Sequence, residues 1–329
     1  MKISAFRSCL AAIVSLVSIL SCDAVVQADE VFPSRPIRFI NPYPAGGPTD
    51  LIARRLAEAV SPRLGQPVII ENKTGASGSI GAAEALKGAD GYTYLVTVPD
   101  PLLHQAILME SITYDPRKDF VLMTQVARGG LVLVANLDMP DSLGAMVELA
   151  KAKPGSISFG SFGNGSQSHL ISEAIARRDN LQLNHIPYRG GGPAVQDVIG
   201  RQISFSYAGP IFASQLARDG KLRVFAVTGT SRAEVLPDVP TFGELGYTHP
   251  LLAMRYWVGV VAPAAAPKDA VARVLKEIQT AVATPEFKQF LASTGWEVIN
   301  NSPEDFAKEF RSEYDIIEKS VSEFGIPRM

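Results

Sequence analysis

Ser166, Ser168 and His169 stand within four residues of one another in FGSFGNGSQSHL, residues 159–170. Hydroxyls beside an imidazole are the raw material of acyl transfer. That chemistry also needs an acidic group to orient the base, and sequential neighbours with no identified acidic partner do not provide one. The stretch is not a G-x-S-x-G elbow either, because Asn164 stands two residues before Ser166. The four histidines, His104, His169, His185 and His249, are scattered without metal-ligand spacing. No Gly-Lys-Ser/Thr occurs, so the chain has no Walker lysine. No catalytic residue, metal site or cofactor is assigned, and a secreted α/β hydrolase remains only as the remote rival.

Four glycine-rich loops remain, each at a strand-to-helix junction: PYPAGGPTD (42–50), the 159–170 stretch, YRGGGPA (188–194) and YAGP (207–210). Bare N–H groups at a helix start, with glycine allowing close approach, make an anion site. Without a phosphate-site lysine or a metal motif, a carboxylate suits such loops better than a diphosphate. Any one of them alone reads as a tight turn. Four in one chain, all at the C-terminal ends of expected parallel strands, point to a cleft between lobes.

The elements that must position these loops follow a repeated β-then-α order. IRFIN (37–41) precedes a helix from about Asp50 to Leu64, with Ile52, Leu56, Ala59, Val60 and Leu64 at a 3.6 period. Thr49 is its expected N-cap and Gly65 its stop. Strands are expected at 67–73, 92–98, 157–160, 183–188, 203–208 and 222–229, with 124–136 as one long strand region. After YWVGVVAP come three helices, opened by Pro267, Pro285 and Pro303. Two α/β lobes linked near 124–136 and 222–229 explain why the C-terminal helices follow a return strand.

The chain has 329 residues, 47% hydrophobic and 19% charged, with a formal charge of −2. This describes a globular protein with sizeable cores and gives no support for nucleic acid or an anionic membrane as partner. Lys2 and Arg7, an apolar run from residue 9 to 20 and a small-residue exit at Ala28 read as a secretory signal. Both cysteines, Cys9 and Cys22, lie inside it, so the chain after Ala28 has none. A competing reading makes ILSC a lipoprotein box with Cys22 acylated.

With these residues in view, the segment from PSRPIRFINPYPAGGPTD to GADGYTYL resembles the solute receptors of tripartite tricarboxylate transporters, the Bordetella uptake gene receptor family. The likeness continues through YDPRKDF, GNGSQSHL, IPYRGGGPAVQD, GKLRVFAVT, LPDVPTFGELGY and APKDAV, from about Phe32 to the C-terminus. The resemblance implies a periplasmic binding protein of two lobes, each a mostly parallel sheet flanked by helices, that closes on a small carboxylate (a di- or tricarboxylate or an aromatic acid) and delivers it to membrane transporter subunits. The implied division is a signal at 1–28, one lobe from 29–128 and 229–329, and a second from 129–228. A monomer is expected, and a ligand sensor on the same fold is the alternative.

The resemblance places the carboxylate grip on two loops. Tyr43, Ala45, Gly46, Gly47, Thr49 and Asp50 form one; Ser161, Asn164, Gly165, Ser166 and Ser168 form the other, with His169 supporting it. The Tyr188–Gly192 turn lies at the same cleft edge. Where relatives often read FDNLPS, this chain reads YAGPIF: behind Tyr207, Ala208 stands at the acidic position and Gly209 at the amide position, so an amino-acid ligand is not expected. Arg255 is a candidate partner for a second ligand carboxylate, against the alternative of a surface arginine. Leu102, with Tyr43 and Tyr207, favours an aromatic or longer apolar acid.

Overall fold

The computed structural model describes residues 32–328. The expected leader, its exit at Ala28 and Cys22 lie outside the described residues. Residues 35–329 form one compact unit built on two mixed sheets. The first has the order β11-β4-β10-β3-β1-β2, from β1 (Ile37–Asn41), β2 (Val68–Asn72), β3 (Thr93–Thr97), β4 (Phe120–Gly129), β10 (Tyr256–Pro263) and β11 (Glu297–Val298). The second has the order β7-β6-β8-β5-β9, from β5 (Val132–Ala135), β6 (Ile157–Ser161), β7 (Leu183–Pro187), β8 (Phe205–Ala208) and β9 (Arg223–Val227). Helices α1 (Pro48–Leu64), α2 (Ser79–Ala85), α7 (Lys268–Val282), α8 (Pro285–Ser293) and α9 (Pro303–Glu323) accompany the first sheet's strands in sequence. Helices α3 (Leu143–Ala152), α4 (Gln167–Asp179), α5 (Gly191–Ile199) and α6 (Pro210–Arg218) accompany the second's.

Parallel pairing follows the β-then-α order: β1 with β2 and β3, and β6 with β7 and β8. The antiparallel share is larger than that alternation alone implies. β10 runs antiparallel between β3 and β4, and β5 antiparallel between β8 and β9. These strands enter their sheets from the chain's passages between the two sheets, not through helical crossovers, so their direction is free to reverse.

The region 124–136 is not one strand. It divides at Gly130 and Leu131 into β4 of the first sheet and β5 of the second. Here the outgoing and returning chains touch. Leu131 N–H donates to Thr228 Oγ1 at 2.8 Å, and Thr228 N–H to the Leu131 carbonyl at 2.9 Å. A Cβ on Gly130 would stand 2.6 Å from the Thr228 carbonyl oxygen, so only glycine permits this approach.

Helix α1 buries Ile52, Ala53, Leu56, Val60 and Leu64 and stops at Gly65 in the left-handed conformation (φ 70°), as its period and glycine predict. Its start differs. Gly47 is the N-cap, without a side-chain bond, Pro48 opens the helix, and Thr49 lies inside the first turn. Proline's fixed φ suits that first position and removes an N–H that the helix could not use. Asp50 then supplies the local staple, accepting from Gly46 N–H (2.9 Å), Asn72 Nδ2 (2.8 Å) and Arg54 Nε (2.7 Å). The loop before α1 is thereby held in shape by a buried carboxylate that faces its own helix.

Candidate ligand-binding site

Three helix starts converge on one cavity of about 270 Å³: those of α1, α5 and α6. The first N–H groups of a helix have no partner inside it, and the helix dipole places about half a positive charge there. The loops feeding α1 and α6 end in Gly47-Pro48 and Gly209-Pro210, while α5 opens on Gly191-Gly192-Pro193. Glycine at these starts brings the cavity against main chain. A Cβ on Gly191 would sit 2.9 Å from the Phe162 ring. Arg189, exposed on the loop before α5, reaches this cavity and a second one of about 210 Å³ behind Tyr43 and Phe162. Among the described residues it has no carboxylate partner.

The remaining wall is apolar. Leu131, Phe162, Val195, Tyr207, Phe212, Tyr256 and Trp296 supply it. Tyr207 contributes its ring only, because its hydroxyl is buried against Ser172 Oγ at 3.0 Å. The site therefore combines a main-chain anion seat and an exposed cation with an aromatic chamber.

Of the residues expected from sequence, Tyr43, Ala45, Gly46, Gly47, Thr49, Tyr207, Ala208 and Gly209 line this cavity. Asn164 and Tyr188 line the second one. The other expected jaw, 161–169, is spent on itself. Ser161 Oγ meets His185 Nε2 at 2.6 Å and donates to the Gly163 carbonyl at 3.0 Å; Phe162 N–H donates to Ser168 Oγ, and Gly165 N–H to His169 Nδ1 (both 3.0 Å). Ser166 and Ser168 bond each other and are fully buried. Only Phe162 of that loop reaches the cavity. No serine there bonds His169, so the hydrolase arrangement is not assembled.

The start of α4 behind this loop is already occupied. Gln167 N–H donates at 2.8 Å to Asp100 Oδ1. Tyr256 OH (2.6 Å) and Tyr43 OH (3.3 Å) donate to Asp100 Oδ2, and Asp100 is 0% exposed. Burial first, and then the charge of Asp100, push both phenols well above their ordinary range, so they stay protonated donors.

Two weaker candidates lie elsewhere. Arg255 clasps Glu297 through two bonds of 2.6 and 2.5 Å and does not line the cavity. Arg255 is the residue before β10 and turns toward Glu297, while Tyr256, the first residue of the strand, faces the cavity. Leu102 is fully buried in a short π-helical turn, Asp100–His104, and touches neither cavity.

Sequence reasoning placed the turn that holds Arg189 at the cleft edge without singling out Arg189, and missed Phe162, Phe212, Trp296 and Asp100. Arg189 carried a readable signal: no acidic residue occurs between Asp179 and Asp197, leaving a cation in a glycine run without a local partner. Trp296 and Asp100 carried none, since their neighbours are brought from distant segments.

Behind the loop, His169 and His185 stack at 4.0 Å between ring centroids. Burial lowers His185 to about 4, and burial together with the neighbouring His185 lowers His169 to about 3. Unfolded, both titrate near ~6.5. The unfolded state therefore takes up more protons as the pH falls from that value toward the folded ones. Stability is present above ~6.5 and is lost below it, by up to about 1.4 kcal/mol per pH unit for each ring and less for partly exposed ones. Glu313, pushed up to about 7 by burial, acts in the opposite sense between about 7 and its unfolded value. Thermal unfolding at pH 7 and pH 5 reads the net of these effects, and the difference between wild type and a His169 variant isolates the share of that ring. His169→Gln is expected to lose less stability on acidification than the wild type, and an equal loss would contradict this account.

The fold and site define a two-lobed solute-binding receptor of the periplasmic binding protein type. The tripartite tricarboxylate transporter family receptor pattern matches residues 52–323. Protein BugT of Bordetella pertussis is 38% identical over 275 residues, 83% of each chain. The solved periplasmic binding protein BugD superposes with a TM-score of 0.84 at 30% identity, covering 91% of this chain and all of that one. A Rhodopseudomonas palustris protein solved with adipate superposes at 0.83 and 26% identity, over 91% of this chain and all of its own. The chain belongs to the tripartite tricarboxylate transporter family receptors, a family of binding proteins rather than enzymes.

Proposed function

We propose that this receptor works in the periplasm, captures a small carboxylate with an apolar body and passes it to the membrane subunits of a tripartite transporter. The observation that carries this reading is the convergence of three helix starts and the unpaired Arg189 on one aromatic cavity. The loops holding Tyr43, Ala45, Gly46, Gly47 and Thr49 on one side, and Gly190 to Gly192 with Ala208 and Gly209 on the other, grip the carboxylate through main-chain N–H groups. Ala208 and Gly209 offer no carboxylate to an ammonium group, which favours organic acids over amino acids. Lobes of 29–128 with 229–329, and of 129–228, close by bending where Gly130, Leu131 and Thr228 meet. The leader of 1–28 directs export, and the receptor acts as a monomer. No described helix is long and apolar enough to cross a membrane.

A thermal-shift screen of mono-, di- and tricarboxylates, nucleotides and sugars tests the ligand class, because a ligand binding only the folded state raises the midpoint by mass action. Organic acids are expected to raise it, and to change the emission of Trp296 in the cavity wall while the core residue Trp257 stays silent. A response to nucleotides or sugars alone would overturn the carboxylate reading. Loss of the emission change in Trp257→Phe but not in Trp296→Phe would overturn the choice of cavity.

A further inference from the structure

Four glycine-rich loops of this chain end in helix starts, yet only three of those starts face the cavity. The fourth, at α4, holds the chain's own Asp100. This carboxylate is fully buried on a turn between Pro99 and Pro101, 67 residues from the Gln167 N–H that it accepts. It also captures the hydroxyls of Tyr43 and Tyr256, both of which line the cavity. The other acceptor of Tyr43 OH is the Ser77 carbonyl at 3.2 Å, again away from the cavity. The His104 ring lies 3.3 Å from Asp100 Oδ1, and burial lowers its pKa, so it stays neutral and leaves the carboxylate charge uncancelled. Asp100 thus takes the hydroxyls of two cavity-wall tyrosines together with the first N–H of α4 behind them, and places a negative charge one side chain behind the wall.

We propose that Asp100 sets the ligand's charge: it takes up the hydroxyls of two tyrosines in the cavity wall and holds a carboxylate behind them, so the cavity accepts one ligand carboxylate and disfavours a second. This rests on the carboxylate-receptor reading and adds the number of carboxylates. The first carboxylate has the starts of α1, α5 and α6 and Arg189. A second, at the far end of the ligand, would meet Phe212, Trp296 and the rings of two tyrosines whose protons are already given away. It would lose hydration there and gain at most the Trp296 indole N–H as a donor. Repulsion from Asp100 across those rings adds to the cost, because low-dielectric walls transmit it with little screening.

Calorimetric titrations with acids of equal skeleton test this: hexanoate against adipate, and benzoate against phthalate. The wild-type protein is expected to bind the monoacid at least tenfold tighter than the diacid in one pair or both. Asp100→Asn, which keeps the side-chain volume, and Asp100→Ser, which opens the seat, are each expected to shrink that ratio at least tenfold. A change in overall affinity at constant ratio would show a packing role for Asp100 and overturn the proposal. Wild-type binding of the diacid as tightly as its monoacid would overturn it without any variant. If no carboxylate binds the wild type in the broader screen, the receptor reading itself fails.

Discussion

Gly46→Val is expected to weaken carboxylate binding by about 100-fold or more, equivalent to about 2.7 kcal/mol, with the protein still folded. Gly46 lines the cavity at φ +79°, a left-handed conformation that a β-branched residue occupies only as an outlier, at a cost of roughly 1–2 kcal/mol. Its N–H holds Asp50 Oδ2 at 2.9 Å, so relaxing φ breaks the bond that shapes the loop. A Cβ there meets no atom within 4 Å. The added side chain therefore creates no clash in the core and projects into space that a ligand needs. The fold loses about the strain energy alone, a shift of a few degrees at roughly 2–4 °C per kcal/mol. Circular dichroism melting and calorimetry separate the two effects. Gly46→Ala, with the same strain at φ > 0 but less bulk, is expected to fall between. Unchanged affinity in Gly46→Val would remove this loop from the site.

The second large effect is expected at Arg189. Arg189→Ala should lower carboxylate affinity by about 10-fold, the low end of the range for charge-assisted hydrogen bonds because the guanidinium is exposed. It should also flatten the dependence of affinity on salt, since an exposed cation is screened over about 10 Å at 0.1 M. Arg189→Lys keeps the charge but not the forked geometry, and is expected to recover the salt dependence more fully than the affinity. Tyr188, which anchors this loop to α5 through Asp197 Oδ2 at 2.6 Å, remains intact in both variants. An Arg189→Ala protein with wild-type affinity at low salt would leave the helix starts as the whole anion seat.

Much of the architecture was legible because it is written locally. The 3.6 period of Ile52, Leu56, Val60 and Leu64 with Gly65 after it specifies a helix and its stop without reference to anything distant. The β-then-α order gave the parallel core pairs β1 with β2 and β6 with β7. Pro285 and Pro303 were read as helix openers, and both stand at first positions behind the side-chain caps Thr284 and Ser302. The start of α1 was misread by two residues, since proline at the first position and an aspartate turned back onto the loop replaced the expected threonine cap. The strand pair at 124–136 was misread because apolar runs do not record which sheet they join. Only the touch between Leu131 and Thr228, from segments far apart, divides them.

The same distinction governs the site. Sequence alone determined that this chain carries four glycine-rich helix starts, no thiol after Ala28 and no phosphate-site lysine, and hence where an anion can be held by main chain. Helix starts follow from glycine, proline and hydrophobic period over a few residues, and the positive end of a helix is a property of its backbone. Tertiary structure decided which of those starts faces the cavity. Asp100 and Gln167 are 67 positions apart, and Asp100 and Tyr256 are 156 apart; no local pattern encodes bonds between them. Such contacts form only when two sheets bring their loop ends together, and there one buried carboxylate takes the first N–H of α4 and the hydroxyls of Tyr43 and Tyr256.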